Sequence, residues 1–250
     1  MKKIMVSAFL AGIFVLNVFS QQAEKPKQDE KAKPDAAKTD AAAAGDLAKA
    51  IFGAHGGDKL KAVKSIVIKG TVDITSSAIP QVIPATFASI IAGEKYRMEI
   101  NNPFQPMKQI YDGKDTFSSV QGFSFPPITR IGFPVLSRVG DQGYAVSALP
   151  DTAKKKKGFR ITTPEGYITD FYVDEKTGLL KGFDSAYDIG GRTVTTSSEI
   201  DKYKTVDGVV IPEKYVQRFD LGQMTVYSDF KAKEIVLNGE VPEDYFAMPK

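Results

Sequence analysis

The sequence predicts a mainly β protein with few helices, built on a single strongly curved antiparallel sheet. Short helices or a flap are expected to cover its concave side. Three observations carry this reading. Period-2 alternation of apolar and polar residues dominates from Ser65 onward. Turn signals recur between the alternating runs, among them Asp112-Gly113, Gly190-Gly191, Asp207-Gly208 and Leu221-Gly222. Helical spacing is confined to a short stretch before Ser65, too little helix to sandwich a large sheet. The sheet must then wrap around its own core or around a ligand.

The N-terminal segments lie outside this fold. Lys2 and Lys3 form a positive region ahead of an apolar run from Ile4 to Phe19, and Val18-Phe19-Ser20 supplies a cleavage-site pattern. Residues 1–20 are therefore expected to be a secretory signal, since the run is short for a membrane span of about 20 residues. Gln21, not Cys, follows the expected cut, so a soluble exported chain is anticipated rather than a lipid-anchored one. Residues 21–44 are rich in Lys, Glu, Asp, Ala and Gln, contain Pro26 and Pro34, and carry no aromatic or large aliphatic residue. Such a segment cannot bury enough surface to offset its ordering entropy and is expected to be a disordered linker. The folded domain is expected over 45–250.

That domain opens with a helix capped by Asp46 and carrying Leu47, Ala50, Ile51 and Ala54, ended by Gly56-Gly57. Asp58 caps a second turn, with Leu60 and Val63 facing inward. His55 falls at the helix C-terminus, where an imidazolium would meet the helix dipole. About eleven strands follow, joined by short turns. In Glu94-Lys95-Tyr96-Arg97-Met98-Glu99-Ile100 the two faces separate completely. Tyr96, Met98 and Ile100 are assigned to the concave side, and Arg97 and Glu99 to water. Phe117, after the Asp112-Gly113 turn, is grouped with the concave residues as a candidate wall of an apolar cavity.

One segment breaks the rhythm. Between Gln121 and Arg138 stand three prolines, three phenylalanines and no acidic residue. The prolines disfavour a central strand. Phe123, Phe125, Ile128, Ile131, Phe133 and Leu136 are read as a flap over the mouth of the sheet. A lid and a permanent plug both need apolar residues on one side, so both readings stand.

Composition removes many activities. The 250 residues include no Cys, which excludes disulfides, thiolate metal sites and cysteine nucleophiles. The single His55 excludes two-His zinc motifs and leaves a Ser-His triad one candidate base, with no Ser-containing elbow beside it. Removing Lys2 and Lys3 with the leader brings the formal charge from +3 to +1. That balance argues against a nucleic-acid partner. No catalytic residue, metal or cofactor is expected. Lys154 to Lys157 form a basic tetrad suited to a solvated loop or to anionic headgroups.

The C-terminal half carries a resemblance. The run Ile200-Asp201-Lys202-Tyr203-Lys204-Thr205-Val206-Asp207-Gly208-Val209-Val210-Ile211-Pro212, with Leu237-Asn238-Gly239-Glu240-Val241-Pro242-Glu243-Asp244-Tyr245-Phe246 and Pro249, resembles the outer-membrane lipoprotein-sorting family. Ala54 to Lys64 with Gly70 resembles the start of a broader group of exported relatives, and Lys95-Tyr96-Arg97-Met98-Glu99-Ile100 through Lys114 fits the family's strand-turn-strand pattern. The resemblance covers residue 46 to the end. It implies an unclosed β-barrel with an apolar cavity and a lid, a periplasmic carrier that accepts the acyl chains of a lipoprotein and passes them to the outer membrane. Its partners would be an acylated lipoprotein or lipid-like ligand and envelope membrane proteins, and the carrier a monomer. Two departures stand out. The Arg that latches the lid in the carriers is absent, the aligned stretch being Ala92-Gly93-Glu94, and the aromatic after the Asp-Gly turn, often Trp, is Phe117. A non-transporting envelope-assembly module of the same fold is the alternative, and a hydrolase is disfavoured by the lack of any Gly-x-Ser-x-Gly.

Overall fold

A computed structural model describes residues 34–249, apart from 105, 121–127, 154–155, 190–191 and 221–223. Two helices come first, α1 (Pro34–Ala54) and α2 (Asp58–Lys61). The first meander holds β1 (Ser65–Ser76), β2 (Ile79–Ala92), β3 (Lys95–Asn101), β4 (Met107–Tyr111) and β5 (Thr116–Ser118). The second holds β6 (Ala145–Ser147), β7 (Gly158–Thr162), β8 (Ile168–Asp174), β9 (Leu179–Ile189), β10 (Arg192–Val206), β11 (Val209–Asp220) and β12 (Thr225–Leu237). All twelve form one antiparallel sheet in the order β5-β4-β3-β2-β1-β12-β11-β10-β9-β8-β7-β6.

The order states the architecture. The two meanders join through β1 and β12, where Ile66 pairs with Leu237 and Val72 with Phe230. The edge strands β5 and β6 do not pair, so the sheet is not closed into a barrel. The register slips between Lys69 and Gly70. A side chain at Gly70 would collide with the Lys231 carbonyl and the Phe87 ring, so this bulge admits only glycine.

Alternation located the strands but not every boundary. Alternation reads this strand over Ala85 to Ile91, but β2 starts at Ile79 and passes through Pro84, which faces Asp73 of β1. Its pairing with β3 begins only at Thr86. Pro84 therefore sits where β2 has one neighbour, and its missing N–H breaks no ladder on the other side. Strand β6, three residues with little alternation, was not anticipated.

The linker and helix expectations need correction. Helix α1 begins at Pro34, so residues 34–44 are helical rather than disordered, and Asp46 lies inside the helix instead of capping it. Its buried face is Ala44, Ala48 and Ile51, at helical spacing, whereas Ala50 and Ala54 are exposed. Small alanines allow α1 to lie close on β6, β7 and β9. Residues 1–33, which include the expected signal and the rest of the linker, lie outside the described residues.

The principal core sits at the helix end of the groove. It joins α1 and Leu60 to Phe159, Ile161, Phe171, Leu180, Ile211 and Ile235 of the sheet. Phe133, Val135 and Leu136, in a 3-10 helix over Phe133–Arg138, belong to this same core. That half of the proline-rich segment is a plug. Gly132 introduces it at a φ of 66°, and a side chain there would meet the Phe183 ring.

His55 is the corrected cap. It is fully buried, not at a solvent-facing helix end. Its Nδ1–H donates to the Val210 carbonyl at 2.8 Å, and its Nε2 accepts the Leu180 N–H at 3.2 Å. The ring packs edge-on against Phe133 and Tyr203, and the Tyr203 hydroxyl donates to the Leu180 carbonyl at 2.6 Å. Desolvation lowers the imidazole pKa below 6.5, outweighing the Val210 bond that raises it. An imidazolium would have no acceptor for its second N–H, so the group is neutral here.

Two outcomes follow from this core. The unfolded chain binds the His55 proton first, so the stability His55 contributes above about pH 6.5 is lost as pH falls toward the lower folded pKa. The urea midpoint should fall between about pH 7 and about pH 5. His55→Gln, less stable at neutral pH by about 2–4 kcal/mol, should show a flatter profile there. In thermal melts, Leu136→Ala should cost about 2–5 kcal/mol, because the fully buried leucine leaves a cavity.

Candidate functional site

Away from the plug the groove is not filled. A cavity of about 410 Å³ lies between the two meanders, and a narrower one of about 140 Å³ adjoins it toward the helix end. Met98, Ile128, Ile131, Thr196 and Gln217 line both. The first meander contributes Ile74, Tyr96, Met98, Ile100, Met107 and Gln109 to the larger cavity, and the second contributes Tyr187, Thr196, Gln217, Phe219, Val226, Ser228 and Phe230. Strand pairing explains the set. Paired residues share a face, and Ser89, Met98 and Gln109 stand opposite one another across β2, β3 and β4, as do Ser228, Gln217 and Ser198 across β12, β11 and β10.

Tyr96, Met98 and Ile100 thus lie on the concave side, on the wall of the larger cavity. Phe117 does not. It pairs with Ile110, which pairs with Arg97, so the β4–β5 turn puts all three on the outer face. There Phe117 packs with Ile90, Ile110 and Phe246. Of the segment residues, Ile128 and Ile131 line both cavities, Phe133 lines the narrower one from the core, and Leu136 lies in the core alone. Phe123 and Phe125 fall outside the described residues, although their flanks Val120 and Ile128 both border the larger cavity. Tyr187, Gln217 and Phe219 went unnamed in the sequence. The alternation of β9 and β11 carried them, but nothing local showed which face was concave.

Charge is kept outside. Among the described residues, no Asp, Glu, Lys, Arg or His lines either cavity. Burial raises the phenol pKa of Tyr96 despite the bond it accepts from Gln109, and burial raises those of Tyr187 and Tyr215. These phenols stay protonated at neutral pH. Arg97 and Glu99 occupy the outer face as expected, joined at 3.0 Å, but Arg97 is partly covered. Its Nη1 donates to the Tyr245 carbonyl at 2.9 Å and its guanidinium lies over the Tyr245 ring. The C-terminal residues of the resemblance therefore strap the convex side of β2, β3 and β4. Of the basic tetrad, Lys156 lies over the Tyr172 ring at 4.0 Å and Lys157 is 3.9 Å from Glu175.

Glu94 holds the crossing segment. Its carboxylate pairs with Arg138 and lies 4.0 Å from Arg130, and its carbonyl accepts the Thr129 hydroxyl at 3.3 Å. Arg130 also reaches Glu165 at 3.1 Å. The clasp is exposed and its individual pairs are worth little.

No family model matches the chain, and no curated protein does. Among solved structures it is similar to a LolA-superfamily protein from Nitrosomonas europaea, with a TM-score of 0.50 at 11% identity over 82% of this chain and 97% of that one. A DUF1329-family protein from Desulfovibrio piger gives 0.48 at 13% identity over 83% and 97%. A putative outer-membrane lipoprotein-sorting domain from Vibrio parahaemolyticus gives 0.45 at 10% identity over 82% and 97%. The unclosed antiparallel sheet of this chain is the fold of the LolA-superfamily structure.

Proposed function

We propose that the protein is an exported carrier whose cavity holds the acyl chains of a lipoprotein or another lipid-like ligand, for delivery to the outer membrane. The observation that carries this reading is an uncharged, largely apolar cavity of about 410 Å³ inside an unclosed sheet. Its size falls within the range of about 300–1,000 Å³ used for small ligands. Each methylene moved from water into such a site contributes about 0.8 kcal/mol, so a dozen supply about 10 kcal/mol before the costs of association. The shared fold supports the same reading. No helix among the described residues is long and apolar enough to cross a membrane, and the n-region and apolar run before Gln21 support export.

Two measurements check this. Titration with a pyrene-labelled dodecane should show saturable one-to-one binding with a Kd of about 1–100 μM. Met98→Asp, at a half-buried wall position, should weaken it at least about tenfold while the circular dichroism spectrum keeps its β signature. Non-saturable binding would leave the envelope-assembly module as the function. Expressed in a host with two membranes, the chain should be recovered from the periplasm with an N-terminus near Gln21. Full-length chain retained in carbonate-washed membranes would refute export as a soluble protein.

A further inference from the structure

The concave face is not uniformly apolar. Gln109, Thr196, Ser198, Ser228 and Tyr187 are all buried on it, and Gln217 stands among them. A cavity that held only hydrocarbon would gain nothing from these groups, since each loses water on burial. Several are satisfied internally. Gln217 Nε2 donates to the Thr196 hydroxyl at 3.1 Å, which donates to the Arg218 carbonyl at 3.0 Å, and Gln109 donates to the Tyr96 hydroxyl.

Two hydroxyls are not. Tyr187 Oη and Ser198 Oγ are sealed from solvent and have no hydrogen-bond partner among the described residues. Tyr187 is only 4% exposed and lines the larger cavity, and Ser198 lines the narrower one. Ile131 of the crossing segment packs with Tyr187 and Val194 in one cluster. A buried, unmade hydrogen bond costs free energy, and Phe at position 187 would avoid it with the same ring. Among the described residues, the same walls carry no cation to balance a buried anion.

We propose that the cavity selects lipids bearing an uncharged hydrogen-bond acceptor, an acyl ester or amide, whose carbonyl accepts the Tyr187 hydroxyl once Ile131 moves aside. Ser198 lies four residues beyond Val194, the β10 residue paired with Tyr187, about 13 Å along the strand, and offers a second such point. Free fatty-acid anions and charged headgroups are excluded from the cavity itself, so any charged part of the ligand stays at the mouth. This selectivity rests on the carrier reading and deepens it.

The test is competition against pyrene-labelled dodecane at a pH where carboxylic acids are ionised, using dodecane, methyl dodecanoate and dodecanoate. In the wild type the methyl ester should outcompete dodecanoate by at least about tenfold. In Tyr187→Phe the ratio of ester to alkane affinity should fall about tenfold, with the melting temperature equal or higher. Dodecanoate competing as well as the ester overturns the proposal, and so does an unchanged ester-to-alkane ratio in Tyr187→Phe. The wild-type comparison stands even if the variant fails to fold. If the labelled alkane itself does not bind saturably, the carrier reading fails first and the selectivity falls with it. Alkane binding without ester preference removes the selectivity alone.

Discussion

The edge strands β5 and β6 lie at opposite ends of a twelve-strand order and never meet. Every other feature of the molecule follows from that separation. The first meander ends at one edge and the second begins at the other, so the chain between them has to cross the groove. A crossing chain cannot form ladder hydrogen bonds with either edge along its whole path. Proline, which has no N–H to satisfy, is well suited to it. Among the described residues of that crossing, the apolar side chains find the concave face beneath them. Phe133, Val135 and Leu136 fill its helix end, and Ile128 and Ile131 border the part left open.

The helix end has to be rigid for the rest to stay open. His55 supplies much of that rigidity. Its ring bridges the Val210 carbonyl and the Leu180 N–H, tying the end of α1 to β11 and β9, while its own carbonyl accepts the Val210 N–H at 3.2 Å. Only a neutral imidazole can donate at one nitrogen and accept at the other. The same exclusion of charge runs through the groove, where phenols, amides and hydroxyls replace ionised groups. Among the described residues, salt bridges lie on the outer face, in the exposed clasp at Glu94 and at other exposed sites such as Lys61 with Asp141, where water screens them.

Legibility in the sequence tracked how local each cause was. The alternation of Tyr96, Arg97, Met98, Glu99 and Ile100 separates two faces because the side-chain period of a strand is two, and the structure keeps that separation. Phe117 was misassigned because its face depends on the length of the turn between β4 and β5, and one residue exchanges the faces. The start of α1 was missed because residues 34–44 lack large apolar side chains. Alanine packing, at Ala44 and Ala48, gives almost no hydropathy signal. Pro84 concealed the first half of β2, since only the pairing of β3 shows that one side of that strand is free.

By itself the sequence determined the strand-rich class, the antiparallel order of neighbours joined by short turns, and the exclusion of thiol and two-His metal chemistry. These depend on residue types and spacings within a dozen positions. Tertiary structure alone decided that β12 closes against β1, that the described part of the proline-rich segment is part plug and part cavity wall, and that Tyr187 and Ser198 are left without hydrogen-bond partners among the described residues. Each of those depends on which distant strands become neighbours. That is set by the summed burial of many side chains, Phe230 against Val72 or Phe133 against His55, and no local pattern encodes it.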